Sequence, residues 1–467
     1  MKNESYIKLA YEAKNKNQFQ EAIDLFQQYI DKEKKDYGIV NYSNIAGCYE
    51  QIGLCFEKLN NILQAKINYH TSLSYNKYRA DSYYYLAMIH KNENDLEECF
   101  KILLHANKIP FPEKEKLNSN FRTRPEIFNY LIDEEISILA FYVDKEYDVS
   151  KHFKKILVNH PSNFYNYINN LHWYKKSINE FLIEKHDLNN LTNISPNFHV
   201  SSPSIVKEVD SPNYLLNLRT VSYRIENGQY LPDKETGTIR TQNIFIKLDK
   251  NFQKLVEHRF DIPEPKRLVN GLEDIRIFYD EKNDLKFIGN EALFEDKVKM
   301  VYGDYNLNKD TLDFEILESP YGLQTEKNWS PFTYEGKNKI LYNWSPFTIA
   351  EIVDGKLEVR KFIEKSIPYT RGGSPGFEYD GIIYFLVHFV GYGENNKREY
   401  YHSIIKIDAT TLEYIDHSIL FTFDNEMIEY GIGLIIEDDR VIITHSSNDC
   451  QSFIKIYNKE ELFKFLF

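Results

Sequence analysis

The chain has 467 residues, with 57 Lys and Arg against 70 Asp and Glu, and 42% of it is hydrophobic. That length exceeds one ordinary core and predicts two domains, and the hydrophobic share excludes a disordered chain. The net charge of −13 argues against nucleic acid as the main partner, because neutralising phosphates takes clustered cations. No apolar run approaches the roughly 18 residues of a membrane span. The start, Met1-Lys2-Asn3-Glu4-Ser5, opens into an amphipathic helix carrying acids and does not read as a signal peptide. Cys48, Cys55, Cys99 and Cys450 have no metal-ligand spacing, and the first three occupy core-type helical positions. Free thiols, no metal site and a cytoplasmic location are therefore expected.

The N-terminal part is periodic in helical hairpins. Tyr6, Leu9 and Ala10 precede Phe19, Ala22 and Phe26; Tyr49, Ile52 and Gly53 precede Ile62, Ala65 and Tyr69; Tyr83, Leu86 and Ala87 precede Leu96, Cys99 and Leu103. The second and third sets are in step at 34 residues; the first lies 43 before the second, implying an extension near Lys32–Val40. The small residues Ala22, Ala65 and Cys99 let paired helices cross closely. This layout resembles the tetratricopeptide repeat, in which stacked hairpins bury one continuous core. A break is expected at Pro110 and Pro112. Helical patterning then resumes through Ile132, Ile136, Leu139, Ala140 and Tyr142, and again through Phe153, Ile156, Leu157, Ile168, Leu171 and Trp173. A helical repeat domain over 1–185 and a linker over 186–197 follow. Its roles in prospect are holding a peptide, glycan or protein partner, or self-association.

From about Pro196 the period changes to alternating strands with Gly, Asn and Asp turns. Five polar openings recur: Ser202-Pro203-Ser204-Ile205, Glu273-Asp274-Ile275-Arg276, Trp329-Ser330-Pro331-Phe332, Gly373-Ser374-Pro375-Gly376-Phe377 and Tyr430-Gly431-Ile432-Gly433. Each is followed by a second cluster, such as Asn217-Leu218-Arg219 or His388-Phe389. The spacing suits radially arranged four-stranded sheets, so 198–467 is expected to be a five-bladed β-propeller whose fifth blade is completed by chain from the start of the domain. The fold class is thus a tetratricopeptide-like α-solenoid followed by a propeller, with a C-terminal helix over Lys459–Phe467.

In a propeller the innermost strands line the axis, so these openings would meet at one end of it. Adjacent residues of a strand face opposite sides, so one acid of Glu273-Asp274 can enter the channel while the other anchors elsewhere. Arg276 shares a face with Asp274 and is a candidate to hold it ionised or to bind an oxyanion; the plain alternative is a structural ion pair between sheets. Arg219, Arg240, Lys327, Arg371, His388, Tyr401 and His402 are further candidates, and together describe a phosphate site beside a sugar. Trp329 can stack on a sugar ring or simply pack between blades. No Walker loop, G-x-G-x-x-G, G-x-S-x-G or H-E-x-x-H motif competes.

Glu273-Asp274-x-Arg276 resembles the E-D-x-R signature of five-bladed mannoside phosphorylases (glycoside hydrolase family 130), relatives of β-1,2-mannosyltransferases of the same fold. The order of Pro203-Ser204-Ile205, Glu326-Lys327-Asn328-Trp329-Ser330-Pro331-Phe332, Arg371-Gly372-Gly373-Ser374-Pro375 and Tyr401-His402 is similar as well, over about 198–460. The resemblance implies that Asp274 handles the proton and that cations hold phosphate; Ile275 stands where the family usually has Pro. An inverting hydrolase needs two carboxylates, and the sequence offers one convincing acid, with Glu273, Glu326 and Glu378 weaker. The expectation is therefore a glycosyltransferase using a phosphate-activated sugar donor and a glycan or protein acceptor, with no cofactor. A phosphorylase or hydrolase of the same fold is the alternative, and a non-catalytic carbohydrate- or protein-binding scaffold the rival from another class.

Overall fold

In a computed structural model of the chain, the described residues are 3–35, 41–111, 121, 123–195, 197–226, 229–233, 236–261, 268–292, 297–363, 367–393 and 397–467. They divide into two compact units, Met1–His160 and Pro161–Phe467.

The first unit is the tetratricopeptide-like array. Its hairpins are α1 (Asn3–Asn15) with α2 (Phe19–Lys35), α3 (Tyr42–Lys58) with α4 (Ile62–Tyr75), and α5 (Ala80–Asn92) with α6 (Leu96–Ala106). Each hairpin turns on an asparagine in the left-handed region, Asn17, Asn60 and Asn94, a conformation Asn tolerates better than most residues. Asn61 and Asp95 then cap α4 and α6, accepting from the backbone N–H groups of Gln64 and Glu98. Ala22, Ala65 and Cys99 are fully buried. How closely the helices cross is clear at Gly53, where an added Cβ would lie 2.7 Å from the Tyr69 ring. Between hairpins, Arg79 grips buried Glu50 through Nε (2.6 Å) and Nη2 (2.9 Å). A π turn, Ile127–Leu131, leads into α7 (Ile132–Val143) and α8 (Ser150–Asn159). The expected stripe is buried at Ile132, Ile136, Leu139 and Ala140, but Tyr142 is exposed. Pro112 and positions 36–40 of the expected extension lie outside the described residues. Among the described residues no helix is long and apolar enough to cross a membrane.

The second unit is the propeller, and it begins earlier than expected. Helix α9 (Phe164–Asn170) packs on the strands: Phe164 stacks on Tyr369 at 4.2 Å, and Asn169 accepts from the Tyr392 backbone N–H. A helical pattern shows which face is buried but not which domain buries it, so the boundary at 185 falls late. Leu182–Asp187, which straddles that expected boundary, is a strand, β1.

The first blade is β2 (His199–Lys207) and β3 (Tyr214–Val221), then, after a small hairpin of β4 (Arg224–Glu226) and β5 (Gln229–Leu231), β6 (Ile239–Leu248) and β7 (Lys254–Arg259). Short β8 (Val269–Asn270) runs parallel to β6. The second blade is β9 (Glu273–Tyr279), β10 (Leu285–Ala292), β11 (Val298–Asp304) and β12 (Asp313–Ile316). The third is β13 (Ser330–Tyr334), β14 (Lys337–Trp344), β15 (Phe347–Val353) and β16 (Lys356–Ile363). The fourth has a broken inner strand, β17 (Arg371–Gly372) and β18 (Phe377–Tyr379), on β19 (Ile382–Tyr392), β20 (Arg398–Asp408) and β21 (Tyr414–His417). The fifth is β22 (Glu429–Ile436), β23 (Arg440–Ser447) and β24 (Gln451–Asn458), with β1 as its outermost strand. The ring is thus closed by chain from the start of the domain, and helix α10 (Lys459–Leu466) packs Leu462 and Leu466 into the core shared by the fourth and fifth blades. Apolar side chains fill the spaces between blades: Ile275, Ile277 and Phe287 meet Leu215 and Phe245 between the first and second, and Met300 and Ile288 meet Trp329 and Ile340 between the second and third.

Candidate functional site

Irregular backbone at the strand ends aims the polar side chains. Asp274 has φ +50° and sits in a β-bulge, where Asp274 and Ile275 together oppose Gly289. Such a bulge re-aims a side chain out of the pleat. Gly289 fits because a Cβ there would lie 3.1 Å from Ile275 and 3.2 Å from the Glu273 carbonyl oxygen. Just before, Gly271 has φ +95° and lies against the Thr241 carbonyl, where a Cβ would collide at 2.4 Å. Ser202 (φ +42°), Asn328 (φ +64°) and Asp449 (φ +51°) are in the left-handed region too. Each stands beside the cavity or touches a residue that lines it, and strained backbone of this kind clusters at functional sites.

The cavity encloses about 300 Å³ and is lined by Arg219, Tyr223, Ile239, Glu273, Asp274, Lys327, Asn328, Arg371, His388, Arg398, Tyr400, Ile428, Tyr430 and Asp449. Its acids gather round Arg219. That guanidinium donates from Nη1 to Asp274 Oδ1 (3.0 Å) and from Nη2 to Glu273 Oε1. The Ser202 hydroxyl donates to the same Asp274 oxygen at 2.9 Å. Tyr223 donates to Asp449 Oδ2 at 2.9 Å. Burial pushes the Glu273 carboxyl up, against Arg219 and with the neighbouring Asp274 and Asp449. Burial likewise pushes Asp449 up, with Arg219 again opposing.

The cations lie differently. Lys327, Arg371 and Arg398 are exposed to the cavity and have no ion pair among the described residues. His388 sits opposite Arg371 in the β17–β19 pairing, with its ring stacked on Tyr400 (5.3 Å, 15°) and edge-on to Tyr430 (5.1 Å). Burial, reinforced by His402, Arg371, Arg276 and Lys327, holds its imidazole well below the ordinary histidine range, which favours the neutral form. Its Nδ1 is buried with no hydrogen-bond partner among the described residues. Unpaired cations in a half-enclosed space favour an anionic ligand. Among the described residues no cluster of His, Cys, Asp or Glu is arranged to hold a metal ion.

Of the residues singled out from sequence, the structure brings Arg219, Glu273, Asp274, Lys327, Arg371 and His388 together here, and places five elsewhere. Arg276 is fully buried: Nε donates to the Gly373 carbonyl (2.6 Å), Nη1 to that of Asp274 (3.0 Å) and Nη2 to the Tyr430 hydroxyl (2.7 Å). It ties the second blade to the fourth and fifth. The bulge explains the misreading, since it shifts the alternation that put Arg276 and Asp274 on one face. Trp329 is core between blades, its ring 5.1 Å from that of Tyr342. Tyr401 is buried and donates to Glu399 (2.7 Å). His402 is buried, accepts from the Gly431 N–H (3.2 Å) and is pushed down to about 3 by burial. Arg240 lies outside the lining, 3.7 Å from Asp233 and over the Phe198 ring. Of the weaker acids, Glu326 is buried and accepts from Tyr342, and Glu378 is exposed outside the cavity. Sequence reasoning missed Tyr223, Arg398, Tyr400 and Asp449. The available signal for Asp449 was Asn448-Asp449 at a hairpin tip, which reads only as a turn.

No protein-family model matches the chain, and no curated protein does. Among solved structures, it is similar to a β-1,2-mannobiose phosphorylase from Listeria innocua in complex with β-1,2-mannobiose, with TM-score 0.43 and 13% identity over 61% of this chain and 99% of that one. It is also similar to MPT-4, a mannose phosphorylase from Leishmania mexicana in complex with phosphate ion, with TM-score 0.41 and 10% identity over 65% and 96%. The helical part is similar to pilF of Pseudomonas aeruginosa, with TM-score 0.27 and 15% identity over 36% and 66%. At TM-scores below 0.5 these likenesses add nothing to what the sheet order and the helix hairpins establish by themselves.

Proposed function

We propose that this cavity is the active site of a glycosyltransferase that uses a phosphate-activated sugar. The reading is carried by one observation: Lys327, Arg371 and Arg398 converge on the cavity without carboxylate partners among the described residues, while Glu273 and Asp274 pair with Arg219. The acceptor hydroxyl oxygen attacks C1 of the sugar, the C1–O bond to phosphate breaks, and the phosphate leaves with the electron pair. The hydroxyl proton goes to Asp274. The unpaired cations hold the phosphate and offset the charge it gains as it leaves. Arg219 and Ser202 fix Asp274 through Oδ1, while Oδ2 has no hydrogen bond to a described residue. The helical repeats hold the acceptor or a protein partner.

A second reading, glycoside phosphorylase, is favoured by size. About 300 Å³ is the lower end for a small-molecule site; it suits a sugar and a phosphate better than a nucleotide diphosphate sugar. The same residues then serve in reverse, with inorganic phosphate attacking C1 and Asp274 delivering the proton to the leaving oxygen. The count of carboxylates no longer argues against a hydrolase, because Glu273 and Asp449 also line the cavity; the cations do. A scaffold binding through its rim has no use for such a pocket.

The test is calorimetric titration with inorganic phosphate and with a panel of hexose 1-phosphates. Lys327→Ala and Arg371→Ala should each weaken binding by roughly tenfold or more, the size of one charge-assisted hydrogen bond. A wild-type protein that binds none of these compounds would contradict the proposal.

A further inference from the structure

We infer that Phe121 and Arg124 plug a peptide-binding face of the helical unit from within the chain, and that the partner of this face is an extended protein segment presenting an aromatic residue. The inference concerns the helical unit alone and does not depend on the reading of the cavity. The face is made by α1, α3 and α5, the first helices of the three hairpins. Phe121 belongs to no helix, yet it is 1% exposed. Its ring lies 6.0 Å from that of Tyr11 on α1 and 6.1 Å from that of Phe26 on α2. Gly47 of α3 leaves a notch for it: a Cβ there would lie 2.3 Å from Phe121 Cγ. Glycine inside a helix is destabilising relative to alanine, so α3 gives up helix stability for room at this point.

Three residues on, the Arg124 backbone N–H donates to Asp81 Oδ1 on α5 at 2.8 Å, and the Arg124 guanidinium reaches the Tyr85 hydroxyl at 3.4 Å. Arg124 precedes Pro125, which disfavours a helical backbone there. The chain therefore meets the face with a ring at α1 and α3 and a main-chain N–H at α5. Extended peptides engage surfaces in the same way, with main-chain bonds for affinity and a side-chain pocket for specificity. The fit is incomplete. Asp81 is buried, and its Oδ2 makes no hydrogen bond to a described residue. A buried acceptor left unsatisfied is destabilising, so a segment that reached both Asp81 oxygens would suit this face better than the chain's own does. Core packing accounts for the ring of Phe121 but not for the half-satisfied carboxylate beside it.

The test uses the full chain and a fluorescein-labelled synthetic peptide with the sequence of residues 117–126, read by anisotropy. In the wild type the tethered Phe121 competes at an effective concentration on the order of millimolar. Free peptide should therefore bind the wild type at least roughly tenfold more weakly than Phe121→Ala, whose notch is open. Adding Gly47→Ala to Phe121→Ala fills the notch and should abolish that gain, and so should the Phe121→Ala change made in the peptide. Equal binding to wild type and Phe121→Ala, binding to neither, or a gain that survives Gly47→Ala would overturn the inference. If Phe121→Ala loses helix content, circular dichroism during the titration decides. Peptide that restores the helices supports the inference, because a ligand stabilises the folded state it binds. Peptide that leaves them unfolded marks Phe121 as ordinary core and overturns it.

Discussion

Arg219 and Arg276 carry the same guanidinium to different ends. Arg219 reaches the cavity and spends itself on two carboxylates, whereas Arg276 is buried among backbone carbonyls and the Tyr430 hydroxyl. Arg276→Met should therefore destabilise the propeller by about 3 kcal/mol or more, since a hydrogen bond to a charged group contributes about 1.5–3 kcal/mol and the carbonyls left behind are buried. Lys327→Ala, exposed to the cavity, should change stability little. Chemical denaturation of both variants checks the pair; an Arg276→Met protein as stable as wild type would show that the tie between blades is dispensable. At this scale the sequence was readable where residue type and order coincide. Glu273-Asp274 at the opening of an apolar strand, and Lys327 and Arg371 just before later openings, all reach the cavity. It was unreadable where local geometry intervenes: a bulge at Asp274 displaced Arg276, and Asp449 is hidden in a turn whose composition explains itself without any ligand.

The elements show the same division. Hairpins α1–α2, α3–α4 and α5–α6 were legible because the repeat fixes both the apolar face and the small residues at the crossings. Strand β1 was not. Its sequence, Leu-Ile-Glu-Lys-His-Asp, has three charged residues, because it is the outermost strand of its blade and pairs on one side only, with β24. Helical residues just before it gave no sign of which unit they pack on. The structure nevertheless makes β1 and the preceding segment part of the propeller: Ser177 donates to the Phe423 carbonyl (2.7 Å), and Lys175 pairs with Glu399 (3.1 Å). A chain comprising 161–467, the second compact unit, should unfold in one cooperative transition. A chain comprising 198–467 lacks β1, leaves β24 as a bare edge and should be markedly less stable or aggregate. Equal thermal midpoints for the two would show that the ring does not need that strand.

For the molecule as a whole, the propeller explains how residues scattered from 219 to 449 meet in one cavity. Each inner strand begins, and its neighbour ends, at the same end of the axis, so one polar opening per blade is enough to build a pocket. That convergence could be inferred from strand spacing alone. The size of the pocket, the pairing of Glu273 and Asp274 with Arg219, and the lack of an ion pair among the described residues for Lys327, Arg371 and Arg398 could not, because they depend on how deeply each side chain is set. The central claim is that Asp274 moves the proton during glycosyl transfer. Asp274→Asn keeps the left-handed backbone that asparagine accepts, and Arg219 keeps its bond to Glu273, so the fold should survive. The measurement is turnover of the sugar 1-phosphate that the wild type accepts, alongside calorimetric affinity for it. Turnover should fall roughly 10²- to 10⁴-fold, the usual contribution of general acid–base catalysis, with affinity nearly unchanged. An Asp274→Asn protein that turns over its donor at a near-normal rate would contradict the account.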